Sequence, residues 1–192
     1  MTDWNEQITI EKIIAGDTHA FAKLVDRYKD MTVLLAYNIL LNQEDAEEVA
    51  QDAFVKAFTA LHTYKAEARF STWLYRIVVN TALNRKKLKK YPSTEIVEET
   101  LDDNEFQASN IEAWQVTAEH RKHIQAALQS LNVNERLCIT LYYLNELSVE
   151  EIRSLTGISN SNIKVLLHRG RKNLYKALHK QLKNEITNLI RP

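Results

Sequence analysis

Glycine and proline are scarce in this chain: its 192 residues hold three and two of them. Closely spaced strands need such residues at their turns, so the deficit points to an all-α protein. Cysteine occurs once, at Cys138, which excludes an internal disulfide. Its apolar neighbours make it a packing residue, and a single thiol fits a reducing cytoplasm. Long apolar runs are missing too. The opening MTDWNEQITIEK has no basic segment followed by an apolar one, and the most lipid-like stretch, residues 33–41, is short and broken by Asn38. Neither export nor membrane insertion is expected.

Net charge is also lacking, with 25 basic and 25 acidic side chains, but the total conceals a pattern. Residues 1–90 carry 13 basic and 12 acidic groups, residues 91–119 carry 8 acidic and no basic ones, and residues 120–192 carry 12 basic against 5 acidic. A neutral part, an acidic joint and a basic part follow one another. Hydrophobic residues at 45% leave enough apolar material for real cores.

The apolar positions Phe21, Leu24, Val25, Tyr28, Met31, Leu35 and Ile39 follow helical spacing, with Asp17 or Thr18 available as a cap. A second amphipathic helix runs through Ala46, Val49, Ala50, Ala53, Phe54, Ala57, Phe58 and Leu61 behind Asn42. Its other face is acidic. After the polar HTYKAEAR a third helix begins near Ser71 and ends in a basic cluster, which suits the negative pole of a helix dipole. These helices form a first domain, 1–90. Periodicity fades over 91–119, where Pro92 and the acidic residues lie, as expected of a linker. About 29 residues at about 3.3 Å each reach close to 100 Å, so the two domains are expected to move relative to one another in a monomeric chain. The second domain spans 120–192.

Within it, LSVEEIRSLTGISNSNIKVLLHRGRKNL (147–174) reads as helix, tight turn, helix. Ser148 and Glu151 form a capping box, Gly157 sits where the chain must turn, and Ser159 caps the second helix. That helix buries Ile163, Leu167, Leu174 and Leu178 and exposes Ser161, Lys164, Val165, His168 and Lys172, flanked by Arg169 and Arg171. Such a face suits a major groove, with small polar groups toward base edges and cations on phosphates. Helical hairpins with glycine turns also occur in proteins that never touch DNA; the basic balance of this segment favours nucleic acid.

On the third helix Arg76, Asn80, Asn84 and Lys87 share one face, with Trp73 and Tyr75 near its start. Such residues bond base edges or phosphates and stack on bases. They serve equally well as a solvated face over a core tryptophan.

DAEEVAQDAF (45–54), FSTWLYRIVVN (70–80) with its basic run, and NIKVLLHRGRKNL (162–174), in this order, resemble the extracytoplasmic-function (ECF) sigma factors of the sigma-70 family over nearly the whole chain. The resemblance implies a region 2-like domain whose Asp45, Glu48, Gln51, Asp52 and Phe54 bind the beta-prime clamp coiled coil of core RNA polymerase. It implies further contact with the beta subunit. Trp73, Arg76, Asn80, Asn84 and Lys87 would engage the minus-10 promoter element, and the loop 62–69 would hold a base flipped from the non-template strand, offsetting an unstacking cost of a few kcal/mol. Ser161, Asn162, Lys164, Val165, His168, Arg169 and Arg171 of the region 4-like domain would read the minus-35 element. An anti-sigma factor is implied as a second protein partner, and the acidic linker is either a mimic of RNA or a solvated spacer. Val165 and Leu166 stand where the family often has serine and arginine, and Asn84 replaces a common aspartate.

His120 and His123 have a metal-ligating spacing without a third ligand nearby, and Asp102, Asp103 and Glu105 lie in the unpatterned joint. No metal, cofactor or catalytic constellation follows from the sequence, and no enzyme is expected. The rival reading is a conventional helix-turn-helix regulator that binds duplex DNA without polymerase. An RNA-associated enzyme would need a catalytic site that the sequence does not offer.

Overall fold

The computed structural model describes residues 5–88 and 118–190, with side chains over 122–183 in the second segment. The acidic joint therefore lies outside the described residues, apart from the start of the helix at Ala118.

Helix α1 (Glu6–Ile14) is started by Asn5, whose side chain accepts from the Ile8 N–H, and it buries Ile10 and Ile13. The sequence pattern did not reveal it. Asp17 caps a short 3-10 turn that leads into α2 (Phe21–Leu40). Leu24, Leu35, Ala36 and Ile39 of α2 are fully buried, each large aliphatic side chain contributing roughly 2 kcal/mol. α2 stops where Leu41 takes a left-handed conformation at φ 56°, and Asn42 then caps α3 (Gln43–Ala60) through the Asp45 N–H. The alanines at 46, 50, 53 and 57 line the buried seam of α3, where small side chains permit close approach to α2 and α4 (Phe70–Leu88). Phe70, Leu74, Val78, Val79 and Ala82 close this first core from α4.

The second half contains α5 (Ala118–Gln129), α6 (Val133–Ile139), a π-helical turn (Thr140–Leu144), α7 (Val149–Thr156) and α8 (Asn160–Ile190). The Ser148–Glu151 capping box forms as read from the sequence, and Gly157 closes α7 at φ 76°, a region where only glycine sits without strain. Ser159 accepts from the Asn162 N–H at 3.3 Å. Gly170 is where α8 passes α6: a Cβ there would stand 2.7 Å from Ile139 Cγ1. Cys138 is fully buried, as its apolar neighbours suggested, and burial pushes its thiol up to about 12. Among the described residues no helix is long and apolar enough to cross a membrane.

The two halves pack on each other, α6 against α2 and α7 against α4. Gln129 Nε2 donates to the Tyr37 hydroxyl at 2.6 Å and Gln125 Nε2 to Asn38 Oδ1 at 3.2 Å. Arg136, buried in α6, donates to the Asn38 carbonyl of α2. In this structure the two halves are thus docked on each other.

Candidate polymerase and nucleic-acid interfaces

Helix α3 lies on α2 and α4 through its alanine seam, so its remaining sides face outward. Glu48, Gln51 and Asp52 are exposed there. Asp45 and Phe54, expected beside them, are not surface residues: their exposures are 3% and 9%. The reason is position. Asp45 is in the first turn of α3, close to α4, where Arg85 Nη1 meets its carboxylate at 3.3 Å. Phe54 stacks edge-on to Phe21 at 6.4 Å between ring centres. Two apolar side chains that the pattern reading missed stand on the outside instead, Val55 at 67% and Phe58 at 41% exposure. Phe58 was read as core, and Val55 falls off the buried spacing, which was the one sequence signal for it.

Arg85 also reaches Glu48 Oε2 at 2.7 Å and Asp52 Oδ2 at 3.9 Å. One guanidinium on α4 therefore organises three carboxylates of α3. The hydrogen bond to Glu48 is the main reason its acidity is weakened still further.

The outer face of α4 presents Arg76, Asn80, Asn84 and Lys87, all exposed, with Trp73 half-buried at their head. The expected stripe is therefore assembled. Tyr75 is not part of it; at 5% exposure it belongs to the core. Trp73 packs beside Tyr64 and Phe70, each at 5.6 Å between ring centres, which fixes the indole on a rigid aromatic base. The loop before α4 has its polar residues outward and Ala66 at φ 56°, and the Tyr64 hydroxyl donates to the Ala68 carbonyl at 2.7 Å. This stiffens a loop that otherwise exposes His62, Lys65 and Arg69.

On α8, Ser161, Lys164 and Lys172 are exposed and Asn162, Val165, His168, Arg169 and Arg171 are half-buried. Ile163 and Leu167 are buried as expected, while Leu174 and Leu178 are only half-covered. Arg171 Nη1 donates to the Tyr143 hydroxyl at 3.2 Å, which anchors it beside the exposed Tyr142–Leu144 turn. Leu166, at the position where an arginine is common, is a core residue at 5% exposure. A cation there would have to leave the present packing.

Residues 24–90 match the family model of Sigma-70 region 2, and residues 121–174 match that of Sigma-70, region 4. The chain is 35% identical to the ECF RNA polymerase sigma factor SigW of Bacillus subtilis over 182 residues, 91% of this chain and 95% of the relative. It is 31% identical to the ECF RNA polymerase sigma-E factor of Escherichia coli, over 87% of this chain and 91% of that one. The sigma factor RpoE of Bartonella quintana, solved with the anti-sigma factor NepR, has a similar fold: TM-score 0.60 at 17% identity, covering 83% of this chain and 96% of the other. The fold is thus that of a two-domain sigma-70 protein. The chain belongs to the ECF RNA polymerase sigma factors, and the reading as a conventional helix-turn-helix regulator is set aside.

Proposed function

We propose that this chain is a promoter-specificity subunit that joins core RNA polymerase, reads the minus-10 and minus-35 elements and opens the strands between them without catalysing a reaction itself. The observation that carries this reading is the face of α4. Four exposed polar or cationic side chains follow a tryptophan on a rigid aromatic base, an arrangement that suits single-stranded DNA, where rings stack on bases and cations hold phosphates. The adjoining loop 62–69 would hold the flipped base.

The core-binding surface in this reading is the outer face of α3: Glu48, Gln51 and Asp52 with the exposed Val55 and Phe58. Asp45 and Phe54 act through it, the first by its link to Arg85 and the second by packing. The domain 1–90 thus joins polymerase to the minus-10 element, and 120–192 reads the minus-35 element through Ser161, Asn162, Lys164, Val165 and His168, with Arg169 and Arg171 near phosphates. The segment 91–119 spans the distance between them. Work on a chromosome places the protein in the cytoplasm, and an anti-sigma factor is the natural partner for restraint.

Run-off transcription with sigma-free core polymerase and a pool of bacterial promoter fragments tests the reading. Discrete transcript starts sharing two upstream elements are expected. No starts, together with tight duplex binding by the chain alone, would overturn it.

A further inference from the structure

We propose that α7 is an internal ligand of the start of α4 in the free chain, where Ser154 engages Arg76 of the minus-10 face and the Glu151 carboxylate, one turn away on the buried Thr72, takes the role of a nucleic-acid phosphate. The inference rests on the sigma-factor reading of α4 given above. Its basis is a pair of matched spacings. Thr72 and Arg76 are one turn apart on α4, and Glu151 and Ser154 are one turn apart on α7. Thr72 Oγ1 donates to Glu151 Oε1 at 3.2 Å, and Arg76 Nη2 donates to Ser154 Oγ at 2.5 Å. A hydroxyl and a guanidinium are the groups that DNA-binding helices turn toward phosphate oxygens, and here their partners are a carboxylate and a hydroxyl of the same chain.

The carboxylate is prepared for this role. The Ser148 N–H and hydroxyl hold Glu151 in the capping box, and the positive charge of Arg69 lies near it from the loop before α4. One carboxylate thus engages α4 and sits by the loop proposed to hold the flipped base.

Elsewhere Arg136 crosses between the halves with one hydrogen bond, to the Asn38 carbonyl, and its charge adds to burial in lowering the basicity of Lys86 on α4. A competing ligand of the start of α4 has to displace the contacts of Glu151 and Ser154 before it binds. Free DNA then meets only the open fraction of the chain, and its apparent affinity falls by that fraction.

The experiment uses the full chain without polymerase. Binding of a fluorescein-labelled, random-sequence single-stranded DNA is followed by anisotropy for the wild type, Glu151→Gln and Glu150→Gln. Glutamine preserves a capping box, so Glu151→Gln removes the charge while keeping α7. Glu150 is exposed in the same turn, and its replacement removes the same charge from beside the capping box. Glu151→Gln is expected to bind about tenfold more tightly, the effect of losing one charged hydrogen bond, and Glu150→Gln to stay within about twofold of the wild type. In parallel, spin labels at the exposed Lys23 and Lys176 should give one narrow distance in the wild type and a broadened distribution in Glu151→Gln/Ser154→Ala. Equal affinities for all three proteins, equal gains for both single variants, or a broad distance distribution in the wild type would overturn the proposal. Failure of the sigma reading shows separately, as absent transcript starts with core polymerase.

Discussion

Arg136 Nε donates to the backbone carbonyl of Asn38, joining α6 to the last turn of α2 across the two halves of the molecule. Its Nη1 meets the carbonyls of Leu131 at 2.8 Å, Gln129 at 3.3 Å and Leu128 at 3.4 Å, so one guanidinium satisfies the ends of two helices that have run out of internal donors. Burial lowers its affinity for a proton, yet its charge remains because an arginine is not deprotonated in proteins. Replacing it by alanine takes a donor from the Asn38, Gln129 and Leu131 carbonyls and leaves a cavity beside them. Arg136→Ala is expected to lose about 3 kcal/mol in urea unfolding, and Arg136→Lys about half of that, since an ammonium keeps the charge without the planar fork.

Much of the fold could be read before the structure because its signals are local. Asn42, Ser148 with Glu151, and Gly157 each act within a few residues, and the apolar spacing of α2 and α3 names most of their cores. What escaped reading depends on partners distant in sequence. Arg136 looks like one more surface cation of the basic part until Asn38 is placed beside it, 98 residues away. Asp45 reads as part of an acidic face, and only Arg85 on a different helix makes it a buried ion. The stripe on α4 was legible because all its members share one helix; the contact of Arg76 with Ser154 on α7 was not.

The bridge from Arg85 to Asp45, Glu48 and Asp52 has a consequence for stability and for polymerase binding alike. Asp45 is nearly enclosed, so removal of its cation strands a charge, although the quarter-exposed Arg85 side chain tempers the loss through solvent. Arg85→Ala should cost about 1–2 kcal/mol by chemical denaturation and weaken binding to core polymerase by disordering the carboxylates. Lysine at this position should restore most of the stability but not the three-way geometry, and so recover less of the binding. Full recovery of both by Arg85→Lys would show that only the charge matters.

On the outer face of α3, Val55 is 67% exposed, while Phe58 rests one side on Phe21 at 5.0 Å between ring centres. Val55→Glu is therefore expected to leave the thermal midpoint within about 2 °C of the wild type, as surface substitutions do. In a pull-down with core polymerase the same change should lower affinity about tenfold or more, because a contact surface loses its apolar centre and gains an unpaired charge. Unchanged affinity would move the polymerase contact away from this part of α3.

The carboxyl of Glu151 is held below its ordinary value of 4.5, first by the Ser148 N–H and then, against the opposing effect of burial, by the Ser148 and Thr72 hydroxyls and the charge of Arg69. A depressed carboxylate contributes stability that is fully present above its ordinary value and disappears as pH falls through the folded one. Thermal midpoints of the wild type and Glu151→Gln should therefore differ at neutral pH and converge as pH falls below the ordinary 4.5 and through the depressed folded-state value. A constant difference down to about pH 3 would mean that the charge of Glu151 is not what the fold uses.

Lys164 and Ser161 stand at the exposed start of α8 but should fail differently on a minus-35 duplex. A lysine side chain carries a mobile point charge and suits phosphates, whose attraction ignores sequence, whereas a short hydroxyl near the helix start can reach a base edge. Lys164→Ala should weaken all duplexes alike and lower the slope of log affinity against log salt by about one. Ser161→Ala should leave that slope unchanged and reduce discrimination between matched and mismatched minus-35 sequences. Fluorescence titrations of both variants, incorporated into holoenzyme, over a series of salt concentrations measure the two quantities separately. If Lys164→Ala lost discrimination at constant slope, the assignment of phosphate and base contacts along α8 would have to be reversed.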